Sequence, residues 1–168
     1  AKKSSSLTDK YAEEALSIIN EYLPISINNG SHRVAREKMS YAAILGGVCV
    51  ANASTCLPHR LQQAMGGVID VSHGKGLATL YKSWFKIAYS YKKIKFDKVM
   101  NLLGDDNTPE STIDNFMNKV NMNYTISDLG AKKSDIDLFI DRLSGNLDND
   151  PIEDIDSNLI RKIYSDSF

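Results

Sequence analysis

Two of the three histidines in this chain, His59 and His73, stand in one stretch that reads CLPHRLQQAMGGVIDVSHGKGLATL from Cys56 to Leu80. Each sits where a helix should begin. Pro58 suits a first helical position, because the N–H it lacks would be unpaired there. Ser72 suits the cap of a second helix, which places His73 in that helix's first turn. Gly66 and Gly67 can take the positive φ that ends the first helix, and Val68–Val71 turns the chain back. Two imidazoles fourteen residues apart could then converge on one point. Neutral imidazole is the commonest transition-metal ligand, so a shared metal ion is the sharper reading. The plainer one is a pair of surface or core histidines that never meet.

The rest of the chain must position those helices, and its periodicity predicts helices throughout. Thr8 can cap a first helix with Tyr11, Ala15, Ile18, Ile19, Tyr22 and Leu23 on its apolar face, ended by Pro24. Ser31 can cap a second, whose Ala42, Ala43, Gly46, Gly47 and Ala51 make a smooth face. Two glycines inside a helix suggest that something packs very close, which makes this the expected core helix. Leu77–Tyr91 carries Leu80, Tyr81, Trp84, Phe85 and Ala88 in one stripe. Lys95–Leu103 stops at Gly104. Thr108-Pro109-Glu110 opens a helix to about Val120, Ser134 opens one that ends near Gly145, and Ile155–Tyr164 forms the last. Only Asn123–Ile126 is a candidate strand. The expected fold class is all-α, in one domain over residues 1–168.

Composition excludes several classes of function. A net charge of −1 supplies no field for nucleic acid or an anionic membrane. Lysines interleave with the aromatics of Leu77–Tyr91, but at the spacing of a solvated face opposite a core face. The apolar run Tyr41–Ala53 is short of the roughly 20 residues of a membrane span. Two cysteines, Cys49 and Cys56, make no disulfide framework, and with no signal peptide in AKKSSS the expected location is the cytoplasm. Asp148-Asn149-Asp150 opens like a calcium loop but lacks its glycine, so a polar loop is expected there. Cys56 and His59 have zinc-like spacing without a second close pair. Gly74-x-Gly76 has no preceding strand and no third glycine, so it is no dinucleotide fingerprint. His32 reads as a solvated residue beside a cap.

The organising stretch resembles the metal-binding segment of the iron-containing (group III metal-dependent) alcohol dehydrogenases. The resemblance rests on Leu57-Pro58-His59, Met65-Gly66-Gly67 and Ser72-His73-Gly74. It extends through the helix Met39–Ala53, Leu7-Thr8-Asp9 and Asn149-Asp150-Pro151, and so over most of the chain. Its specific part lies between about Met39 and Leu80. It implies the C-terminal helical domain of a dehydroquinate synthase-like scaffold, part of a longer two-domain enzyme. A divalent metal, Fe²⁺ or Zn²⁺, would take His59 and His73 as two of four protein ligands. NAD(P) would be bound mainly by an N-terminal nucleotide-binding domain. The partners would be that domain and a small alcohol or aldehyde, with the enzyme monomeric or homo-oligomeric.

This sequence departs from the family pattern in two respects. It contains no Asp-x-x-x-His, the family's source of the other two ligands, so the 168 residues alone are expected not to turn over. Many members also have a histidine four residues after the first ligand, where it can relay a proton; Gln63 stands there instead and cannot exchange protons at neutral pH. Arg60 and Lys75 flank the implied ligands and, with Gln63, are the candidate substrate-pocket residues. The two cations could favour an anionic substrate, or be ordinary surface charge. Two other readings remain open: a glycerol-dehydrogenase-like or dehydroquinate-synthase-like enzyme, and a non-catalytic, free-standing helical binding module.

Overall fold

The first helix starts on a reciprocal cap, Ser5 Oγ accepting from the Thr8 N–H at 3.2 Å and Thr8 Oγ1 from the Ser5 N–H at 2.8 Å. Thr8 is therefore the cap's third-residue partner, not the cap itself. The structure, a computed structural model, describes residues 1–104 and 107–168. α1 spans Ser6–Asn28 and does not stop at Pro24. An interior proline leaves the carbonyl four residues back without its donor. Here that carbonyl, on Asn20, accepts from Lys119 Nζ at 2.9 Å instead.

α2, Arg33–Ala53, is capped by His32, whose Nδ1 accepts from the Ala35 N–H at 3.2 Å. Ser31, the expected cap, is committed elsewhere: its N–H and hydroxyl both bond Asn29 Oδ1. α1 and α2 pack as a helical hairpin around Ala15, Ile18, Ala42 and Leu45. The expectation that α2 is a buried core helix fails. A Cβ at Gly46 or Gly47 would meet nothing within 4 Å, and Ile44 is 63% exposed.

The main core lies elsewhere, among α3 (Leu57–Gly66), α4 (His73–Tyr89), α5 (Lys93–Leu103), α6 (Pro109–Lys119), α7 (Ile136–Asp141) and α8 (Ser157–Asp166). α3 leaves α2 at 101° and buries Leu57, Leu61 and Met65. α5 ends at Gly104 with φ 117°, a conformation that glycine adopts without a Cβ penalty. α6 opens on a capping box between Thr108 and Ser111. The helix expected from Ser134 to Gly145 is shorter, a 3₁₀ turn (Lys133–Asp135) leading into α7. No strand forms among the described residues. Asn123–Ile126 is an irregular segment whose Ile126 N–H donates to the Ser167 carbonyl at 2.8 Å.

Lys82, Lys86, Lys93, Lys95 and Lys98 pair with Asp114, Glu110, Asp97, Asp9 and Glu13. The lysines near the aromatics thus belong to a neutralised, solvated face. No single helix among the described residues is long and apolar enough to cross a membrane. Cys49 and Cys56 are both free thiols.

Candidate metal site

α3 and α4 bring the two histidines together. His59 is the third residue of α3 and His73 the first of α4, and their ring centres lie 5.3 Å apart, tilted by 57°. The turn between them is not made by positive-φ glycines. Gly67 has φ −76°, and the Val68 and Ile69 N–H groups both close onto the Met65 carbonyl. Gly66 matters for another reason: a Cβ there would lie 3.0 Å from Gln62 Nε2, so the amide end of that side chain would have to give way.

A network fixes α3 along its length. Leu57 N–H, at its first residue, donates to Asp150 Oδ2 at 2.7 Å. The Tyr164 hydroxyl of α8 donates to the Leu61 carbonyl at 2.8 Å, and Arg142 Nη1 to the Gly67 carbonyl at 2.7 Å. Asp150 also takes Trp84 Nε1 of α4 at 3.0 Å, so one buried carboxylate ties together both helices that carry the histidines. Its Oδ1 accepts from Ile152 N–H at 3.0 Å. Burial pushes the Asp150 carboxyl up from its usual range, against the pull of the Ile152, Leu57 and Trp84 donors. Asn149 is buried beside it, its amide donating to the Ala53 and Thr55 carbonyls. The expected polar loop is therefore a buried staple.

Electrostatics favour imidazole as a donor. Burial, the neighbouring His73 and the Arg60 charge hold His59 below the ordinary histidine range, which keeps it neutral and able to bind a cation. His73 is exposed, but its Nδ1 is engaged by Gln62 Oε1 at 2.5 Å. An imidazole nitrogen sits about 2.1 Å from a bound metal, so two rings on one tetrahedral ion have centres roughly 5 Å apart. The observed spacing fits that arrangement. Among the described residues no third His, Cys, Asp or Glu joins the pair, so the fit is that of a half-site.

The remaining expected site residues are not gathered onto the histidines. Arg60 Nη1 donates to Gln63 Oε1 at 3.0 Å, and the same guanidinium lies along Gly145, where a Cβ would be 3.3 Å from its Cζ. The Lys75 ammonium lies 5.2 Å from the centre of the Tyr124 ring. Gln62, buried where Gln63 is exposed, is the neighbour that touches His73; nothing in the pattern of side-chain types distinguishes the two glutamines except helical phase. Asp150 had a signal, since the chain's one tryptophan needs an acceptor when buried. A cavity of about 610 Å³, lined mainly by apolar side chains of α1, α4, α5 and α6, includes neither histidine.

Comparison with known proteins identifies the family and the fold. The sequence model of the Fe-containing alcohol dehydrogenase family, C-terminal, matches residues 1–168. An NAD-dependent methanol dehydrogenase of Bacillus methanolicus is 30% identical over 82% of this chain and 39% of its own length. A long-chain primary alcohol dehydrogenase of Thermoanaerobacter ethanolicus is 28% identical over 94% of the chain and 43% of its own. The crystal structure of a 1,3-propanediol oxidoreductase superposes on 99% of the chain and 47% of its own, with a TM-score of 0.92 at 24% identity. The chain spans less than half the length of these relatives. The match of the C-terminal model over residues 1–168 shows that the chain belongs to the iron-containing alcohol dehydrogenase family, as its C-terminal domain, and the all-helical fold is shared with its solved structures.

Proposed function

We propose that these residues act within a metal-dependent, NAD(P)-linked alcohol dehydrogenase, with His59 and His73 as two of the metal ligands. The observation that carries the reading is the 5.3 Å approach of two imidazoles from two consecutive helix starts. A bound divalent metal, iron or zinc, would polarise the substrate oxygen so that hydride can pass between the alcohol carbon and nicotinamide. The chain's own contribution is to hold two imidazole nitrogens in place at the starts of α3 and α4. Gln63 would stand beside the substrate as a hydrogen-bonding group that neither gives nor takes a proton. Proton release from the alcohol would then run through water or the cofactor. Arg60, tied to Gln63, would orient that amide, and Lys75 would stay on Tyr124.

The family relationship and the length of the relatives support a division of labour. The metal's remaining ligands and most of the NAD(P) site would come from an N-terminal nucleotide-binding domain and the segment joining it to α1. The open face of α2, with Tyr41, Ile44 and Val50 exposed, suits contact with that half. The test is metal content of the purified two-domain enzyme by elemental analysis. His59→Ala and His73→Ala should each remove most of the iron or zinc and at least about 100-fold of kcat/KM. Full metal occupancy in both variants would sink the reading. The 168 residues alone should bind metal weakly and reduce no NAD(P).

A further inference from the structure

The buried amide of Gln62 has surroundings unlike those of Gln63, the chain's other glutamine. Its residue is 4% exposed, in the middle of α3, and its Oε1 lies 2.5 Å from His73 Nδ1 at the start of α4. Two glycines wall it in. A Cβ at Gly76 would fall 2.9 Å from Gln62 Cγ and 3.2 Å from its Nε2, and a Cβ at Gly66 would fall 3.0 Å from the same nitrogen. The Gln62 side chain therefore packs tightly against both positions, and Gly76 sits three residues beyond His73 on the same helix.

We infer that Gln62 is a positioning residue that fixes the tautomer of His73. Its carbonyl oxygen accepts from Nδ1–H, so the proton stays on Nδ1 and the free nitrogen is Nε2. A ring nitrogen's availability to a metal is set by the bond that the other nitrogen makes. Gly66 and Gly76 leave the room in which the Gln62 side chain lies against His73. The consequence for metal binding rests on reading His73 as a ligand; the tautomer itself does not.

Nitrogen-15 NMR of the histidine rings at pH 8, in the metal-free protein, tests this, with His73 assigned by its loss in His73→Ala. Nδ1 of His73 should be protonated and Nε2 bare. Gln62→Leu should give a mixture of tautomers and weaken Zn²⁺ binding, measured by chelator competition in the two-domain enzyme, by 10- to 100-fold. Gln62→Glu should restore both, because a carboxylate accepts from the same N–H. Gly76→Ala, whose Cβ would fall 2.9 Å from Gln62 Cγ and 3.1 Å from Met65 Cε, should reproduce part of the Gln62→Leu effect. Wild-type His73 protonated on Nε2 would overturn the inference whether or not the variants fold. Unchanged Zn²⁺ affinity in Gln62→Leu would remove its metal consequence. If the wild type shows the Nδ1–H form but no Zn²⁺ binding, the clamp stands and the metal reading falls.

Discussion

His59 and Asp150 carry charge states displaced by the fold, and they respond to pH in different windows. The His59 imidazole is held below its usual range by burial, so between that lowered value and the ordinary value of 6.5 the unfolded chain binds more protons than the folded one. Stability should therefore fall as pH drops below about 6.5, and the slope should shrink in His59→Gln, read by denaturant titrations of metal-free protein. The Asp150 carboxyl is displaced upward, so its ionised form is the costly one. Its contribution to stability improves as pH falls through its raised value and levels off below 3.8. What Asp150 supplies is geometric. Asp150→Ala leaves the Leu57 N–H and Trp84 Nε1–H buried without an acceptor and should cost about 2–4 kcal/mol. A loss under 0.5 kcal/mol would mean that water or a neighbour replaces the carboxylate.

At the scale of elements, α1 shows how a helix can outlast its proline. Lys119, at the end of α6, occupies the Asn20 carbonyl that Pro24 cannot serve, and its Nζ also reaches Asn20 Oδ1 at 2.9 Å. Pro24→Ala would restore the helical N–H and relieve the ring's contact with the preceding turn. It should stabilise the protein by about 1–3 kcal/mol, the range by which alanine exceeds proline inside a helix, less the displaced lysine bond. A drop in melting temperature would show that the proline sets a bend the packing needs. Periodicity located α1, α4, α5, α6 and α8 because their apolar stripes face a core. Their ends were less legible. Ser31 has the chemistry of a cap, yet the geometry of the Asn29 turn spends its hydroxyl and leaves the cap to His32.

Across the whole molecule, the open face of α2 is an apolar surface that these helices leave uncovered among the described residues. Ile44 is 63% exposed and the neighbouring glycines meet nothing, so the side that composition marks for burial has no partner among these helices. If an N-terminal half covers it, Ile44→Asp should leave the stability of the 168 residues within about 0.5 kcal/mol but lower the melting temperature of the two-domain enzyme by several degrees. Equal effects in both would place the partner of this face elsewhere.

The sequence by itself determined that the chain is helical, that His59 and His73 both begin helices, and which family it belongs to. Those facts reside in short-range patterns: the 3.6-residue period, the prolines and caps, and the motif around Met65-Gly66-Gly67. Tertiary structure alone decided that the two rings approach to 5.3 Å, that Gln62 and not Gln63 grips His73, and that Asp150 reaches across to α3 and α4. Each of these depends on the crossing of elements far apart in sequence. A one-residue change in helical phase separates a buried amide from an exposed one, and no local propensity encodes which phase the crossing will choose.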